Sequence, residues 1–301
     1  MGLHEEIEAF YGYTHQYGQE RRRRYEVINR IERIITSLYP GVRVSLYGST
    51  LTGLFVRNSD IDLVVNLNGR FHMDPAEWLQ ECFERLREYR DVQCKYCIPT
   101  ARTPIFIIVD VPSGIQIDVS CVSGNEFHAG MRNSQWILSA IQPYPLLPKI
   151  LIVAKEFLRL WGLDKVHSEG VSSYCLTLMT ISFFQQQVDD PRDNNLGDRL
   201  LRFLRLYGCD FDYNQLAITV DGDGEIISRS DMGTRITNGP ASVALRIEDP
   251  VDPGKDAAQP SERGMAKLRT AFSLAFDLLV QMVNKPGYGG GVRSYLQIIF
   301  D

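Results

Sequence analysis

The chain has 301 residues, of which 44% are hydrophobic and 23% are charged, and its formal net charge is −5 at pH 7. This length and apolar content are enough for one large domain or two modest ones, and we expect two. The negative balance gives no general attraction to a polyanion, which argues against a tight, stand-alone nucleic-acid-binding module. Six scattered cysteines without framework spacing indicate reduced thiols inside a cell. The longest apolar run, residues 145–154, is interrupted by Pro148 and Lys149 and is too short to span a membrane.

The first part of the chain carries helix and strand patterns. Apolar residues recur at helical spacing over residues 19–38, and Pro40 with Gly41 ends the pattern, so an amphipathic helix is predicted there. The run from Arg21 to Arg24 is more typical of a solvated helix face than of a phosphate contact. Further patterns predict a small α/β unit, with strands at residues 42–47, 61–67, 105–109 and 115–119 and a helix at residues 75–89.

After residue 125 the patterns become helical, which predicts a second domain. The predicted elements are helices at residues 134–141, 146–161, 172–187, 195–207 and 266–283, and a strand hairpin at residues 215–229. The hairpin turn, residues 221–224, superficially matches a calcium loop but lacks the later glutamate and the flanking helices, so a plain turn is favoured. Cys94 and Cys97 are interpreted as strand residues, because no second ligand pair for zinc follows.

Two aspartates stand two residues apart at the start of an apolar strand, in Asp60-Ile61-Asp62. Side chains at this spacing point to the same face, so both carboxylates project together. Because two adjacent like charges repel, the pair indicates a bound divalent cation rather than capping or surface carboxylates. If the later strand pairs beside the first, Asp118 adds a third carboxylate. Such a set suits two Mg²⁺ ions about 3.5–4 Å apart.

Gly48 and Ser49 follow the first predicted strand and would open a helix. A glycine lets the backbone approach a phosphate closely, while the serine hydroxyl and the helix N-terminus supply hydrogen-bond donors. This dipeptide is a weak signal alone, and it gains meaning from the aspartates that follow.

At these residues the sequence resembles the DNA polymerase β nucleotidyltransferase superfamily, whose signature is Gly-Ser, then Asp-x-Asp, then a third strand aspartate. Nearly the whole chain also resembles the catalytic core of eukaryotic non-canonical poly(A) polymerases, of the type that serves the TRAMP RNA-surveillance complex. Terminal uridylyltransferases are close relatives of that family. The resemblance is carried by residues 3–7, 47–49, 52–54, 59–65, 104–105, 117–120, 144–148, 172–174 and 247–250.

The resemblance implies an α/β plus α fold. A small mixed-sheet nucleotidyltransferase catalytic domain, residues 39–125, would sit against a mostly helical central (PAP-associated) domain, residues 1–38 and 126–301, with the nucleotide in the cleft between them. A nucleotide-recognition loop would cover about residues 239–262. In this family's pattern the triphosphate is held by Gly48 and Ser49, and two Mg²⁺ or Mn²⁺ ions are held by the catalytic residues Asp60, Asp62 and Asp118.

The resemblance also implies contacts to the rest of the nucleotide. Asn133 would bind the ribose through its amide, with a helix N-cap as an equally weighted alternative. Lys155 and Arg159, four apart on one helical face, would bind the triphosphate, and a solvated pair is the alternative. Ser173 would bind phosphate, and the ring of Tyr174 would stack on the base rather than serve only in core packing.

Choice of base would depend on Asp249, Asp252 and Lys255. An ammonium group can only donate and a carboxylate can accept, so these groups could serve adenine or uracil, and physical chemistry leaves the base open. Uridylyl-adding relatives tend to have histidine at the position of Lys255 and adenylyl-adding ones asparagine, while the likeness as a whole favours ATP. Ala258 and Gln259 stand where the family usually has Gly-Arg, which leaves the loop's conformation open.

The expected function is template-independent addition of AMP from ATP to RNA 3′ ends, by in-line attack with release of pyrophosphate. A terminal uridylyltransferase that uses UTP is the first alternative, and a catalytically silent RNA- or protein-binding scaffold is the second. The expected partners are an RNA 3′ end and a zinc-knuckle or other RNA-binding protein that supplies affinity for RNA. A monomeric catalytic core is expected, without a membrane and inside the cell, with the nucleus favoured over the cytoplasm.

Overall fold

A computed structural model describes residues 2–15, 18–68, 73–101, 103–124, 128–165, 169–187, 194–237, 244–258, 260–284 and 294–301. The chain forms two compact units, Thr14–Ser139 and a second that combines Met1–Tyr13 with Ala140–Asp301. The first unit therefore includes residues 18–38, which the sequence prediction assigned to the central domain. The physical reason is that the apolar face of this segment is buried in the same core as the β-sheet.

The first unit combines helices with a β-sheet. Helix α1 (Leu3–His15) belongs mostly to the second unit. The elements of the first unit are α2 (Gly18–Leu38), β1 (Arg43–Tyr47), α3 (Gly48–Thr52), β2 (Ile61–Asn66), α4 (Pro75–Leu86), β3 (Val92–Ile98), β4 (Ile105–Asp110), β5 (Ile115–Val122) and α5 (Ala129–Ile141). The strands form a five-stranded sheet in the order β1-β2-β5-β4-β3. β2 and β5 pair in parallel and the other neighbours are antiparallel, so the sheet is mixed.

Helix α2 covers the sheet with the apolar face that its sequence period predicts. Ile31 and Ile35 are fully buried in one cluster with Ile61 and Ile117 of the central strands. Fully burying one such side chain stabilises the fold by about 1.5–3 kcal/mol. The helix is thereby held against the two strands that carry the aspartates.

An ion pair fixes the same helix to the far end of the sheet. Arg30 of α2 donates to both carboxylate oxygens of Asp110, at 2.7 and 3.1 Å, and the Asp110 side chain is fully buried at the end of β4. Asp110 also accepts a hydrogen bond from the backbone of Ser113 in the turn that leads into β5. Because a buried charge is stable only when it is paired, this contact ties α2 to the turn before Asp118.

The second unit is mostly helical. Its further elements are α6 (Leu147–Leu160), α7 (Ser173–Gln185), α8 (Leu196–Arg205), a π-helical turn (Leu206–Asp210), β6 (Leu216–Thr219), β7 (Glu225–Ser228), α9 (Arg229–Arg235), α10 (Glu262–Val283) and α11 (Tyr295–Phe300). The predicted helices and the hairpin are confirmed, and the fold class predicted from the sequence, α/β plus α, is confirmed with them. Helices α1, α9 and α11 and the π-helical turn were not predicted. Within the described segments, no helix has both the length and the apolar character needed to cross a membrane.

Candidate active site

The turn from β1 into α3 is shaped around a glycine. Gly48 has φ +69°, and a Cβ placed on it would lie 2.0 Å from Oδ2 of Asp62. A side chain is therefore excluded both by the backbone conformation and by the neighbouring carboxylate. The backbone N–H of Gly48 donates to the hydroxyl of Ser134 at 2.8 Å, and that hydroxyl donates to the carbonyl of Gly130 at 2.7 Å. The amide of Gly48 is thus engaged by α5, and Ser49 follows it in α3.

Two of the three predicted aspartates are neighbours in the sheet. In the parallel pair β2–β5, Asp62 lies directly opposite Asp118. Registered residues on neighbouring strands point to the same face, so the two carboxylates share one face at the centre of the sheet. Gln116 donates to Oδ1 of Asp118 at 3.1 Å and orients that carboxylate. Asp60 stands two residues before Asp62, immediately ahead of β2.

The three carboxylates are not a preformed metal cage. Among the described residues, no group of three or more His, Cys, Asp and Glu side chains is arranged to hold a metal ion. The register nevertheless places Asp62 and Asp118 side by side, and Asp60 precedes Asp62 by two residues.

The pKa of Tyr47 is affected by the negative charge at this face of the sheet. Its hydroxyl has a raised pKa, for which burial is the largest cause and the negative charges of Asp62 and Asp118 are further causes. Tyr47 is paired with Asp62 in the β1–β2 register, so the two side chains share one face of the sheet.

His128 is a residue that the sequence interpretation missed. Its ring lies 4.6 Å from the ring of Tyr47, and its Nε2 is 3.0 Å from the hydroxyl of Ser120, which donates to the carbonyl of Leu63 at 3.2 Å. Burial lowers the pKa of His128. No local sequence pattern indicates a role for His128, because the residues around it belong to β1, β2 and β5.

Asn133 lies within α5, which begins at Ala129. It therefore sits past the first turn and is not the N-cap, so that alternative interpretation is wrong. The side chain is half-buried in the first unit.

Lys155 and Arg159 both lie on α6, as predicted from their spacing. Lys155 is only 7% exposed, so the alternative of a solvated pair does not describe it. Arg159 makes two hydrogen bonds to Glu156, at 2.9 and 2.6 Å, and the pKa of its guanidinium is raised mainly by them. Any anion that binds Arg159 has to compete with this carboxylate.

Tyr174 is tied to the loop that was predicted to read the base. Its hydroxyl donates to Oδ1 of Asp249 at 3.2 Å, and burial followed by the charge of Asp249 raises its pKa. Ser173 is the first residue of α7, whose N-cap is Ser172, with its hydroxyl accepting from the backbone of Cys175 at 3.1 Å. The cap role therefore belongs to Ser172, and Ser173 is exposed beside Tyr174.

Polar groups within the predicted recognition loop bond to one another. Oδ1 of Asp249 also accepts from the backbone of Val251 and of Asp252, at 2.9 and 3.3 Å. The ammonium of Lys255 is paired with the carboxylate of Asp252. The structure thus brings Tyr174, Asp249, Asp252 and Lys255 together within the second unit.

The buried Asp256, which the sequence interpretation missed, shapes the end of this loop. Its Oδ1 accepts from the backbone of Ile247 at 3.3 Å and of Ala258 at 3.0 Å. These bonds set the backbone at Ala258, where the sequence left the conformation open. Gln259 lies outside the described residues.

The fold matches solved polymerase cores. The polymerase core of TRAMP, an RNA surveillance complex, aligns with a TM-score of 0.81 and 26% identity over 99% of this chain and 94% of that one. A point mutant of the Cid1 poly(U) polymerase, solved with MgATP, aligns with a TM-score of 0.78 over 99% and 98% of the two chains, and its 18% identity supports a likeness of fold alone. The fold is that of a nucleotidyltransferase with a catalytic sheet domain and a helical domain.

Comparisons of sequence give the family. Residues 3–140 match the model of the mitochondrial-like poly(A) RNA polymerase central palm domain, and residues 195–255 match the model of the Cid1 family poly A polymerase. The inactive non-canonical poly(A) RNA polymerase protein Trf4-2 of Drosophila melanogaster is 34% identical over 94% of this chain and 69% of its own length. The poly(A) RNA polymerase cid14 of Schizosaccharomyces pombe is 29% identical over 92% of this chain. The chain belongs to the non-canonical poly(A) RNA polymerase family.

The chain spans 69% of the length of the Drosophila relative but only 40% of that of cid14 and 34% of that of the Caenorhabditis elegans poly(A) RNA polymerase gld-4. Much of those longer relatives has no counterpart in this sequence.

Proposed function

We propose that the protein is a template-independent RNA 3′-terminal nucleotidyltransferase that adds AMP from ATP. The observation that carries this proposal is the register of Asp62 opposite Asp118 on the two central parallel strands. Gly48 leaves room for the first of these carboxylates and stands beside Ser49, as the family's signature requires.

The donor chemistry of this face fits a hard divalent cation. Carboxylate oxygens are the ligands that Mg²⁺ prefers, and a cation relieves the repulsion between two adjacent aspartates. We assign Asp60, Asp62 and Asp118 to two Mg²⁺ or Mn²⁺ ions. When bound, such ions offset phosphate charge and activate an attacking oxygen.

The chain's own residues act chiefly by binding and orientation. Asp118, oriented by Gln116, is assigned to receive the proton of the RNA 3′-hydroxyl. The 3′-oxygen then bonds to the α-phosphorus of ATP while the bond to the bridging oxygen breaks, so that pyrophosphate leaves. Ser49, Lys155 and Arg159 are assigned to the triphosphate.

The remaining residues are assigned to other parts of the nucleotide. Asn133 is assigned to the ribose, Ser173 to phosphate, and the ring of Tyr174 to the base. Asp249 acts on the base through its bond to Tyr174, whereas the Asp252–Lys255 pair can offer both an acceptor and a donor. This chemistry suits adenine or uracil, and the similarity to poly(A) polymerases favours ATP over UTP.

The test is extension of a labelled RNA oligonucleotide with Mg²⁺ and each nucleotide separately. Tails with ATP are expected, and a preference for UTP would replace the proposal with a terminal uridylyltransferase. Asp60→Ala and Asp62→Ala should abolish extension without unfolding the protein, while Asp91→Asn, an exposed aspartate of the same unit, should keep it. Tailing retained by Asp62→Ala would overturn the assignment.

A catalytically silent scaffold is the second candidate. The observation that favours it is the Drosophila relative, which is 34% identical and is named an inactive polymerase. No extension with any nucleotide, together with no Mg²⁺-dependent nucleotide binding by calorimetry, would support the scaffold.

A partner protein is proposed to deliver RNA. The net charge of −5 offers little general attraction to phosphates, so affinity for RNA must come from elsewhere. The solved TRAMP core belongs to a complex, which supports a partner in general terms. We propose a zinc-knuckle or other RNA-binding protein, and its addition should lower the RNA concentration needed for half-maximal tailing.

A further inference from the structure

One arginine of the basic run in α2 is not on a solvated face. Arg24 is fully buried, whereas Arg21, Arg22 and Arg23 are exposed. The sequence interpretation of the whole run as a solvated face is therefore wrong at its last member.

The guanidinium of Arg24 is enclosed by the segment that precedes β2. Its Nη2 donates to the carbonyls of Ser59 at 2.7 Å, Arg57 at 3.3 Å and Val56 at 3.4 Å. Its Nη1 lies 3.5 Å from the carbonyl of Asp60. These carbonyls belong to the turn that delivers Asp60 and Asp62 to the sheet.

The same group also reaches the turn after β1. Nη1 of Arg24 donates to the hydroxyl of Thr50 at 3.1 Å, and Thr50 lies in α3 beside Ser49. The guanidinium stands 4.6 Å from the ring centre of Phe55, and Glu20 accepts from its Nε at 3.2 Å. One planar cation therefore bridges the Gly-Ser helix and the Asp-x-Asp turn.

We propose that Arg24 is a positioning residue for nucleotidyl transfer, which sets Asp60 relative to the Gly48-Ser49 turn. It rests on the proposed function. The reason is geometric. Only the chain between them links α3 covalently to the turn at residues 56–60, whereas the guanidinium fork donates to both segments at once. A lysine at this position keeps the positive charge, but its three N–H donors are all on one nitrogen, so it cannot span both segments as the planar fork does.

The charge of Arg24 is supported by its surroundings. Burial lowers its pKa, and the carboxylates of Glu20, Asp60 and Asp62 act in the opposite direction. Arg24 lies next to the backbone of Asp60, a predicted metal ligand, but its guanidinium has only hydrogen-bond donors and so is not itself a ligand.

The test compares Arg24→Lys with Arg22→Lys, a matched change on the same helix at a side chain that is 81% exposed. Three quantities are measured: kcat and KM for ATP per folded molecule, Mn²⁺ affinity by electron paramagnetic resonance, and hydrogen exchange of the amides of residues 54–60. Arg24→Lys should lower kcat by about 10²-fold with little change in KM. It should weaken Mn²⁺ binding by about 10- to 100-fold and speed exchange in residues 54–60. Arg22→Lys should match wild type in all three.

A second variant covers the case in which Arg24→Lys does not fold. Thr50→Val removes only the bond to α3 and should cause a smaller loss of kcat, which Thr50→Ser should restore. Wild-type kcat and Mn²⁺ affinity in folded Arg24→Lys, or in Thr50→Val if Arg24→Lys does not fold, would overturn the inference. A wild-type chain that neither tails RNA nor binds Mn²⁺ would instead overturn the proposed function, and the inference with it.

Discussion

The carboxylate of Asp62 fills the space that a side chain on Gly48 would need: its Oδ2 lies 2.0 Å from where a Cβ of residue 48 would be. The carboxylate that the proposal gives to metal thus depends on the absence of a side chain in the neighbouring turn. Two strands of the sheet meet at this point, since Tyr47 is paired with Asp62.

Gly48→Ala should therefore lower catalysis as well as stability. The left-handed backbone costs about 1–2 kcal/mol for a residue with a Cβ, and the clash adds about 1–3 kcal/mol. Displacement of Asp62 should lower kcat by about 10²-fold. Gly53→Ala is the matched control, because Gly53 has φ +74° and a Cβ there meets no atom within 4 Å. Equal kcat values per folded molecule in the two variants would contradict the steric argument.

Mg²⁺ should stabilise the wild-type fold. A ligand that binds only the folded state adds about 2.7 kcal/mol at 100 times its dissociation constant, so the melting temperature should rise from EDTA to Mg²⁺. Asp118→Asn should lose that rise, and in EDTA it should melt no lower than wild type because a like-charge neighbour is gone. Asp91→Asn should keep the rise. A wild-type melting temperature that is the same in EDTA and in Mg²⁺ would argue against the assigned ligands.

Tyr174→Phe should weaken nucleotide binding without slowing chemistry. The ring remains for stacking, but the bond to Asp249 is lost and the loop is less firmly held. A hydrogen bond to a charged group contributes about 1.5 kcal/mol or more, so KM for ATP should rise by about tenfold or more. Steady-state kinetics measure this, with Tyr96→Phe, a 66% exposed tyrosine, as the control. A fall in kcat at unchanged KM would assign the hydroxyl a different role.

His128 should make the fold less stable in acid. Burial holds its pKa below the ordinary value of 6.5, so as the pH falls below that value the unfolded state binds the proton first. Stability is therefore lost on going down through pH 6.5, until the folded state is protonated as well. His128→Gln should show a smaller loss of urea midpoint between pH 7.5 and 5.5 than wild type. An equal loss in the two proteins would contradict the assignment of this acid sensitivity to the buried ring of His128.

The sequence by itself determined the local features. The period of residues 19–38 predicted α2, the apolar runs predicted β1, β2, β4 and β5, and the spacing of Asp60 and Asp62 predicted carboxylates on one face. These features depend on residues a few positions apart, which is the range that periodicity reports. Where the pattern was equivocal, as for Asn133, local reasoning could not separate a cap from a helix interior.

Only the tertiary structure decided which distant residues meet. The partner of Asp62 is Asp118, 56 positions later by their numbers, and strand register over that distance is set by burial across the whole sheet. The same holds for Arg24, which looks like its three exposed neighbours in sequence yet is the one that faces the core. Its environment comes from the folding of residues 50–60 around it, because a buried cation is stable only where enough acceptors converge.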